Sequence, residues 1–240
     1  MKIWKNTSTL NGFDNGLNFT ESKKEASLAL IGSKKIDLKS FPNLKGIFRA
    51  GIGRDNVPEK EAKERGIIVS YPSKKTCDII YEETANFTCS LIFRMLYSNI
   101  GTFDPWGKEP RLQLSQKSLL VIGAGRIGGR IAELMKNFMN VTSYDILKNK
   151  ESELKELIEH ADCVTLHIPK SKENISFFDR EKISWMKNRS SLINTARGAI
   201  VDENSLYNEL KKNRISAAFD VFWEEPYKGK LSHLNSDQFY

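Results

Sequence analysis

Gly123, Gly125 and Gly128 stand in a G-x-G-x-x-G spacing, and a carboxylate, Asp145, follows about 20 residues on. That combination is suited to holding a dinucleotide. The first glycine permits a tight turn, the second lets the backbone come close to a pyrophosphate, and the third lets a helix pack closely on its strand. Free N–H groups and the positive end of the helix dipole then face the phosphates. The carboxylate is placed to take a ribose diol.

These residues require a strand, a turn and a helix in immediate succession. The apolar run 119–122 predicts a buried parallel strand, and the segment after the turn carries Ile127, Ile131, Leu134 and Phe138 on one helical face. A second short strand, 141–145, ends on Asp145. Downstream, βα steps repeat: a charged helix over 151–159, a strand over 163–168 ending at Pro169, and a helix over 179–186 that Asp179 can cap. Then come a strand over 191–194, a helix capped by Asp202 and running through Leu210, and a last strand over 215–221. Strand ends therefore fall at Asp145, His167, Asn194 and Asp220. In a doubly wound sheet such ends line one crevice.

Upstream, short apolar segments at 28–31, 47–48 and 67–69 alternate with a helix over 57–66 that has Pro58 in its first turn and Gly66 at its close. This predicts a small parallel α/β unit. The loop 49–56 carries two glycines after a strand, so it is either a plain turn or an anion-binding nest of backbone N–H groups. Helical spacing over 78–97 gives a long connecting helix, and the Gly- and Pro-rich stretch 98–110 reads as a linker. The expected class is α/β, with two Rossmann-like domains built on doubly wound parallel sheets: residues 1–97 and residues 98–240.

With 240 residues, 40% of them hydrophobic and 28% charged, the chain can bury a core in each of two domains. No apolar run approaches the ~20 residues of a membrane span, and the N-terminus has no long apolar signal region. Three widely spaced cysteines without a CxxC pair argue against a disulfide framework and against a metal site. A reduced, cytoplasmic protein is expected. The net charge of +7 comes from scattered lysine pairs with no nucleic-acid-binding motif, so it reads as a basic solvated surface, not a nucleic-acid site.

Two further stretches, Ile193-Asn-Thr-Ala-Arg-Gly-Ala-Ile-Val-Asp-Glu203 and Ala217-Ala-Phe-Asp-Val-Phe-Trp-Glu-Glu-Pro226, closely resemble the D-isomer-specific 2-hydroxyacid dehydrogenases. The resemblance also takes in the loop 49–56, Tyr81-Glu-Glu-Thr-Ala, Trp106 and the glycine turn. It implies hydride transfer between NAD and a small 2-hydroxy or 2-oxo acid. Arg197 would bind the substrate carboxylate and carbonyl, and Glu225 would hydrogen-bond a catalytic histidine. Asp220 would hold the nicotinamide carboxamide. Thr195, Ala196, His167 and Pro169 would line the cofactor pocket, with Gly123, Gly125, Arg126, Ile127 and Gly128 at the phosphates. Asp145 on the ribose favours NAD over NADP. Ala50, Gly51 and Ile52 would offer backbone N–H groups to the substrate carboxylate. The resemblance further implies a homodimer formed through the cofactor domain, with no nucleic-acid or membrane partner.

One departure from the pattern is visible. The family's Thr-Pro-His stretch, which carries its general acid, does not follow Glu225-Pro226, and His233 falls where family members have a variable surface segment. The last strand of the sheet and the helix that returns to the first domain are expected to be missing as well. The expectation is a chain that binds dinucleotide but turns over slowly or not at all, or a regulatory NAD-binding protein on the same scaffold.

Overall fold

A computed structural model of the chain describes residues 1–9, 11–12, 15–97, 101–110 and 113–240. It divides into two compact units, Met1–Ile80 and Tyr81–Tyr240. The division falls inside the long helix, not at the predicted boundary of 98; residues 98–100 at that boundary lie outside the described residues.

In the first unit four parallel strands, β1 (Ile3–Lys5), β2 (Leu28–Ile31), β3 (Gly46–Arg49) and β4 (Ile68–Ser70), pair in the order β1-β2-β3-β4. Three residues of β1 were too short a run to stand out in the sequence. Helix α1 (Glu59–Glu64) crosses from β3 to β4 with Pro58 at its N-cap and Gly66 at φ +68 past its end, the asymmetry that Pro and Gly favour at opposite helix ends. Ala29, Ile31 and Ile47 from the strands pack with Leu38, Phe41, Val57 and Ala62 from the connections into one core on one face.

Helix α2 (Lys74–Leu96) begins four residues earlier than its apolar spacing suggested. The Ser73 hydroxyl accepts the Thr76 N–H at 3.2 Å, so the cap lies ahead of the polar first turn. Its second half buries Ala85, Leu91, Ile92 and Met95 against the sheet of the second unit.

That sheet has five parallel strands, β7 (Ser118–Ile122), β8 (Asn140–Tyr144), β9 (Cys163–Leu166), β10 (Ser191–Asn194) and β11 (Ser216–Phe219), in the order β11-β10-β9-β7-β8. The order reverses at β7, the first strand laid down, and this sends connections to both faces. One face packs against α2 and α3 (Arg126–Met135). The other is buried by α4 (Leu154–His160), α5 (Arg180–Trp185) and α6 (Glu203–Lys211). Asp179 and Asp202 cap α5 and α6 as expected, accepting from the N–H groups of Lys182 at 3.0 Å and Ser205 at 2.8 Å.

Three sequence expectations are corrected. The predicted linker contains an antiparallel hairpin, β5 (Thr102–Phe103) with β6 (Trp106–Gly107). Helix α3 stops at Met135, so Phe138 lies beyond it and is half exposed. The edge beyond β11 is not empty: residues 238–240 lie parallel to β11, with the Ala217 and Phe219 N–H groups donating to the carbonyls of Gln238 and Tyr240. Sequence periodicity missed this because the paired segment is so short.

Candidate cofactor and active site

The register of the second sheet assembles the site. Ile122, Leu166, Asn194 and Phe219 are successive cross-strand partners, and Tyr144 pairs with Ile122 on the other side. The next residue along each strand is Gly123, His167, Thr195, Asp220 and Asp145. Five residues singled out from sequence therefore form one row along the carboxyl edge of the sheet. The row spans β7 and β9, between which the winding reverses, where ligands bind in open α/β sheets.

Each glycine of the turn has its own steric reason. Gly123 sits at φ +95, and a Cβ there would lie 2.6 Å from the His167 carbonyl oxygen. A Cβ on Gly128 would lie 2.0 Å from the Gly123 oxygen and 3.1 Å from Val121 Cγ1, so this residue fixes how closely α3 packs on β7. A Cβ on Gly125 would meet nothing within 4 Å. That open space lies at the N-cap of α3, where a pyrophosphate would need it, so the residues present fit a dinucleotide.

Asp145 is locked in place. Its two carboxylate oxygens accept the Ala124 N–H at 3.1 Å and the Leu147 N–H at 3.0 Å, and its own N–H donates to Asn149 Oδ1 at 2.9 Å. The carboxylate is thus fixed in orientation by the glycine turn itself. Ile127 packs on the core behind the turn, while Arg126 is exposed at the first position of α3.

His167 is held neutral. Burial pushes its pKa down to about 3, and Nε2 lies 2.8 Å from the Thr165 hydroxyl. Pro169 is exposed, and its carbonyl accepts from Asn174 Nδ2 at 2.8 Å. Thr195 is buried and bonded to Thr88 of α2 at 2.8 Å. The Thr88 hydroxyl donates to the Thr84 carbonyl at 2.7 Å, so its single proton is committed and Thr195 must be the donor to Thr88. Thr88 is a residue that motif reading missed; its only sequence signal is a polar side chain on an otherwise apolar helix face.

Asn194 braces the loop beyond β10. Its side chain accepts the Ala196 N–H and donates to the Arg197 carbonyl, both at 3.0 Å. A Cβ on Gly198 would lie 2.2 Å from the Phe222 carbonyl carbon, so the Arg197–Gly198 backbone is drawn tightly against the chain leading to Glu225. Arg197 Nη1 donates to the Ala196 carbonyl at 2.7 Å. Asp220 is exposed as a residue, yet protein packed around its carboxylate pushes its pKa up to about 6. The negative charge of Glu225 raises it further, and the positive charge of Arg197 opposes the rise. The three groups thus share one electrostatic neighbourhood.

The loop expected to bind a substrate carboxylate lies in the first unit and differs from expectation. The Ala50 N–H donates to the Ile31 carbonyl at 2.9 Å and the Gly51 N–H to the Arg49 carbonyl at 2.8 Å, so two of the three amides already have internal partners. Buried Arg49 organises this arrangement: its Nε donates to Asn56 Oδ1 and to the Gly53 carbonyl, each at 3.1 Å. Sequence shows that a loop is glycine-rich but not where its amides turn.

No group of three or more His, Cys, Asp or Glu residues suited to a metal ion occurs among the described residues. No helix among them is long and apolar enough to cross a membrane, and Cys77, Cys89 and Cys163 are all free thiols.

A parallel sheet whose strand order reverses, with a glycine turn and the Asp145 carboxylate bonded to that turn, has the architecture of a dinucleotide-binding fold. Residues 101–239 match the model of the D-isomer specific 2-hydroxyacid dehydrogenase NAD-binding domain, and the chain belongs to that family. It is 34% identical over 206 residues to a D-3-phosphoglycerate dehydrogenase of Methanocaldococcus jannaschii, covering 80% of this chain and 39% of that protein. It is 31% identical over 226 residues to a glyoxylate reductase of Korarchaeum cryptofilum, covering 83% of this chain and 67% of that one. The chain thus spans well under half of the first relative and about two thirds of the second. In fold it superposes on a D-lactate dehydrogenase of Aquifex aeolicus, solved with NAD and lactic acid, at a TM-score of 0.78 and 24% identity, over 100% of this chain and 86% of that one.

Proposed function

We propose that the chain acts as an NAD-dependent oxidoreductase of D-2-hydroxyacid dehydrogenase type, on a small 2-hydroxy or 2-oxo acid. The observation that carries this reading is the row of Gly123, Asp145, His167, Thr195 and Asp220 along one sheet edge, with Arg197 and Glu225 beside its last member. Bound NADH would supply the hydride. Gly125 leaves room for the pyrophosphate, and Asp145 accepts from the ribose hydroxyls, which disfavours the 2′-phosphate of NADP. Asp220, ionised above pH 6, accepts from the carboxamide. Arg197, with its planar bidentate guanidinium, binds the substrate carboxylate and polarises the carbonyl. In the loop of the first unit, Ile52 is the amide we assign to the substrate carboxylate, since those of Ala50 and Gly51 are engaged.

Reduction also needs a proton at the carbonyl oxygen, and a positioned acid typically contributes about 10²- to 10⁴-fold. The three histidines of the sequence do not supply one readily. His167 stays neutral to about pH 3, His160 Nδ1 bonds the Glu156 carbonyl on α4, and His233 is exposed in a 3₁₀ turn. The proton donor is therefore not assigned to any of these three histidines.

We assign the protein to the cytoplasm, consistent with its free thiols, and expect a homodimer through the second unit. There the β5–β6 hairpin presents Phe103 at 91% and Trp106 at 70% exposure, apolar surface of the kind that marks an interaction site. Neither nucleic acid nor membrane is a proposed partner. Titration with NADH by fluorescence, followed by a panel of 2-oxo acids, tests the activity. Binding with slow or absent oxidation is expected; no binding would refute the assignment, and rapid oxidation would require an acid other than these histidines.

A further inference from the structure

We infer that Tyr81 is a positioning residue for the cofactor site, holding the Arg126 guanidinium ready for the pyrophosphate of a dinucleotide. The inference rests on the NAD-binding reading above and assigns a role to a residue that the motifs leave without one. Arg126 is the first residue of α3, directly after the Gly125 N-cap, and its side chain is exposed. Left alone, such a side chain would sample many rotamers. Here it is fixed from α2: Nη1 donates to the Tyr81 hydroxyl at 2.9 Å, and the guanidinium carbon lies 5.0 Å from the centroid of the Tyr81 ring. Both contacts are favourable to a cation, one as a hydrogen-bond acceptor and one as a π face.

The chemistry of the partner matters as much as its position. A phenol is neutral, so it orients the guanidinium without cancelling its charge. A carboxylate in the same place would compete with phosphate for the arginine. The nearest acidic neighbour along α2, Glu82, is instead bonded to Arg130, one turn further along α3. Consecutive residues of α2 thus meet Arg126 and Arg130, at i and i+4 on α3. The acid is matched to the arginine a turn away from the phosphate end, and the phenol to the arginine at it. Four of the five N–H donors of the Arg126 guanidinium are not used by Tyr81, which leaves its fork available to a bidentate oxyanion.

The test is a set of dissociation constants for NADH, ADP-ribose and adenosine, measured by fluorescence and by competition, on the wild-type chain and on Tyr81→Phe, Tyr81→Leu, Arg126→Ala and Tyr81→Phe/Arg126→Ala. Tyr81→Phe keeps the ring and loses the acceptor, and should weaken NADH and ADP-ribose by about threefold. Tyr81→Leu loses both contacts and should reach about tenfold. Adenosine, which has no pyrophosphate, should be unaffected, and the double variant should bind no worse than Arg126→Ala alone. Equal losses for adenosine would show a merely structural role and overturn the inference, as would unchanged affinities in Tyr81→Phe or additive losses in the double variant. A wild-type chain that binds neither NADH nor ADP-ribose would instead remove the cofactor reading, and this inference with it. Unchanged circular dichroism and melting temperature in Tyr81→Phe separate a binding loss from a folding loss.

Discussion

The two parallel sheets are made of similar strands, yet among the described residues one is covered on both faces and the other mainly on one. In the second unit the strand order β11-β10-β9-β7-β8 reverses at β7, so right-handed crossovers fall on opposite sides of the reversal. In the first unit the order β1-β2-β3-β4 never reverses, and right-handed crossovers between strands laid down in sequence all lie on the same face. Alternate residues record the result. Ala29, Ile31 and Ile47 are buried in the core, while on the other face Phe48 at 39% and Ile68 at 71% are exposed beside the buried Ile3 and Leu30. That second face forms an apolar hollow of about 470 Å³ bordered by Leu17, Leu28, Phe48 and Ile68. The reversal that covers both faces also creates the crevice, so the unit with the complete core is the unit that matches the family's NAD-binding domain.

The contrast predicts where substitutions will hurt. Ile193→Ala, in a strand buried on both faces, should cost about 2–5 kcal/mol in urea denaturation. Ile68→Ala, on the open face, should stay within about 0.5 kcal/mol. Equal costs would mean that the open face is covered in solution. Ile68→Lys should lower binding of a hydrophobic dye such as ANS without loss of stability.

The glycine turn offers a second, finer contrast. Gly128→Ala drives a Cβ into the Gly123 carbonyl and should abolish NADH binding together with a loss of melting temperature. Gly125→Ala meets no protein atom and should weaken NADH while leaving the melting temperature near wild type. If both variants melted alike, the open space at Gly125 would not be ligand space.

Thr88→Val removes the acceptor of the Thr195 hydroxyl and leaves a buried donor unsatisfied, at a cost of about 1–3 kcal/mol. Thr88→Ser should restore both stability and NADH affinity. A Val variant as stable as wild type would show that Thr195 finds another acceptor.

The smallest effects lie in pH dependence, where two residues of the same row act in opposite directions. The Asp220 pKa is raised to about 6 from 3.8. Its contribution to stability is full below the unfolded value and is lost as pH rises through about 6, so Asp220→Asn should remove a decline in that window. The His167 pKa is lowered to about 3 from 6.5. Its contribution is full above 6.5 and is lost as pH falls toward 3, so His167→Gln should flatten the acid side of the curve. Melting temperatures of the two variants between pH 3 and pH 8 check both signs.

The sequence by itself determined the glycine spacing, the caps at Asp179 and Asp202, the βα alternation, and the residues that end each strand. These are legible because each depends on neighbours a few positions away: a turn's φ, a cap's hydrogen bond, the periodicity of one face. The tertiary structure alone decided the rest. Cross-strand register placed Gly123, Asp145, His167, Thr195 and Asp220 in a single row, and strand order decided which sheet would have two covered faces. Packing of α2 brought Thr88 to Thr195 and Tyr81 to Arg126, across sequence separations of 107 and 45 that no local pattern encodes. The amides of Ala50 and Gly51 turned inward for the same reason. A backbone donor goes to whichever carbonyl the fold brings near, and buried Arg49 sets the shape of that loop from below.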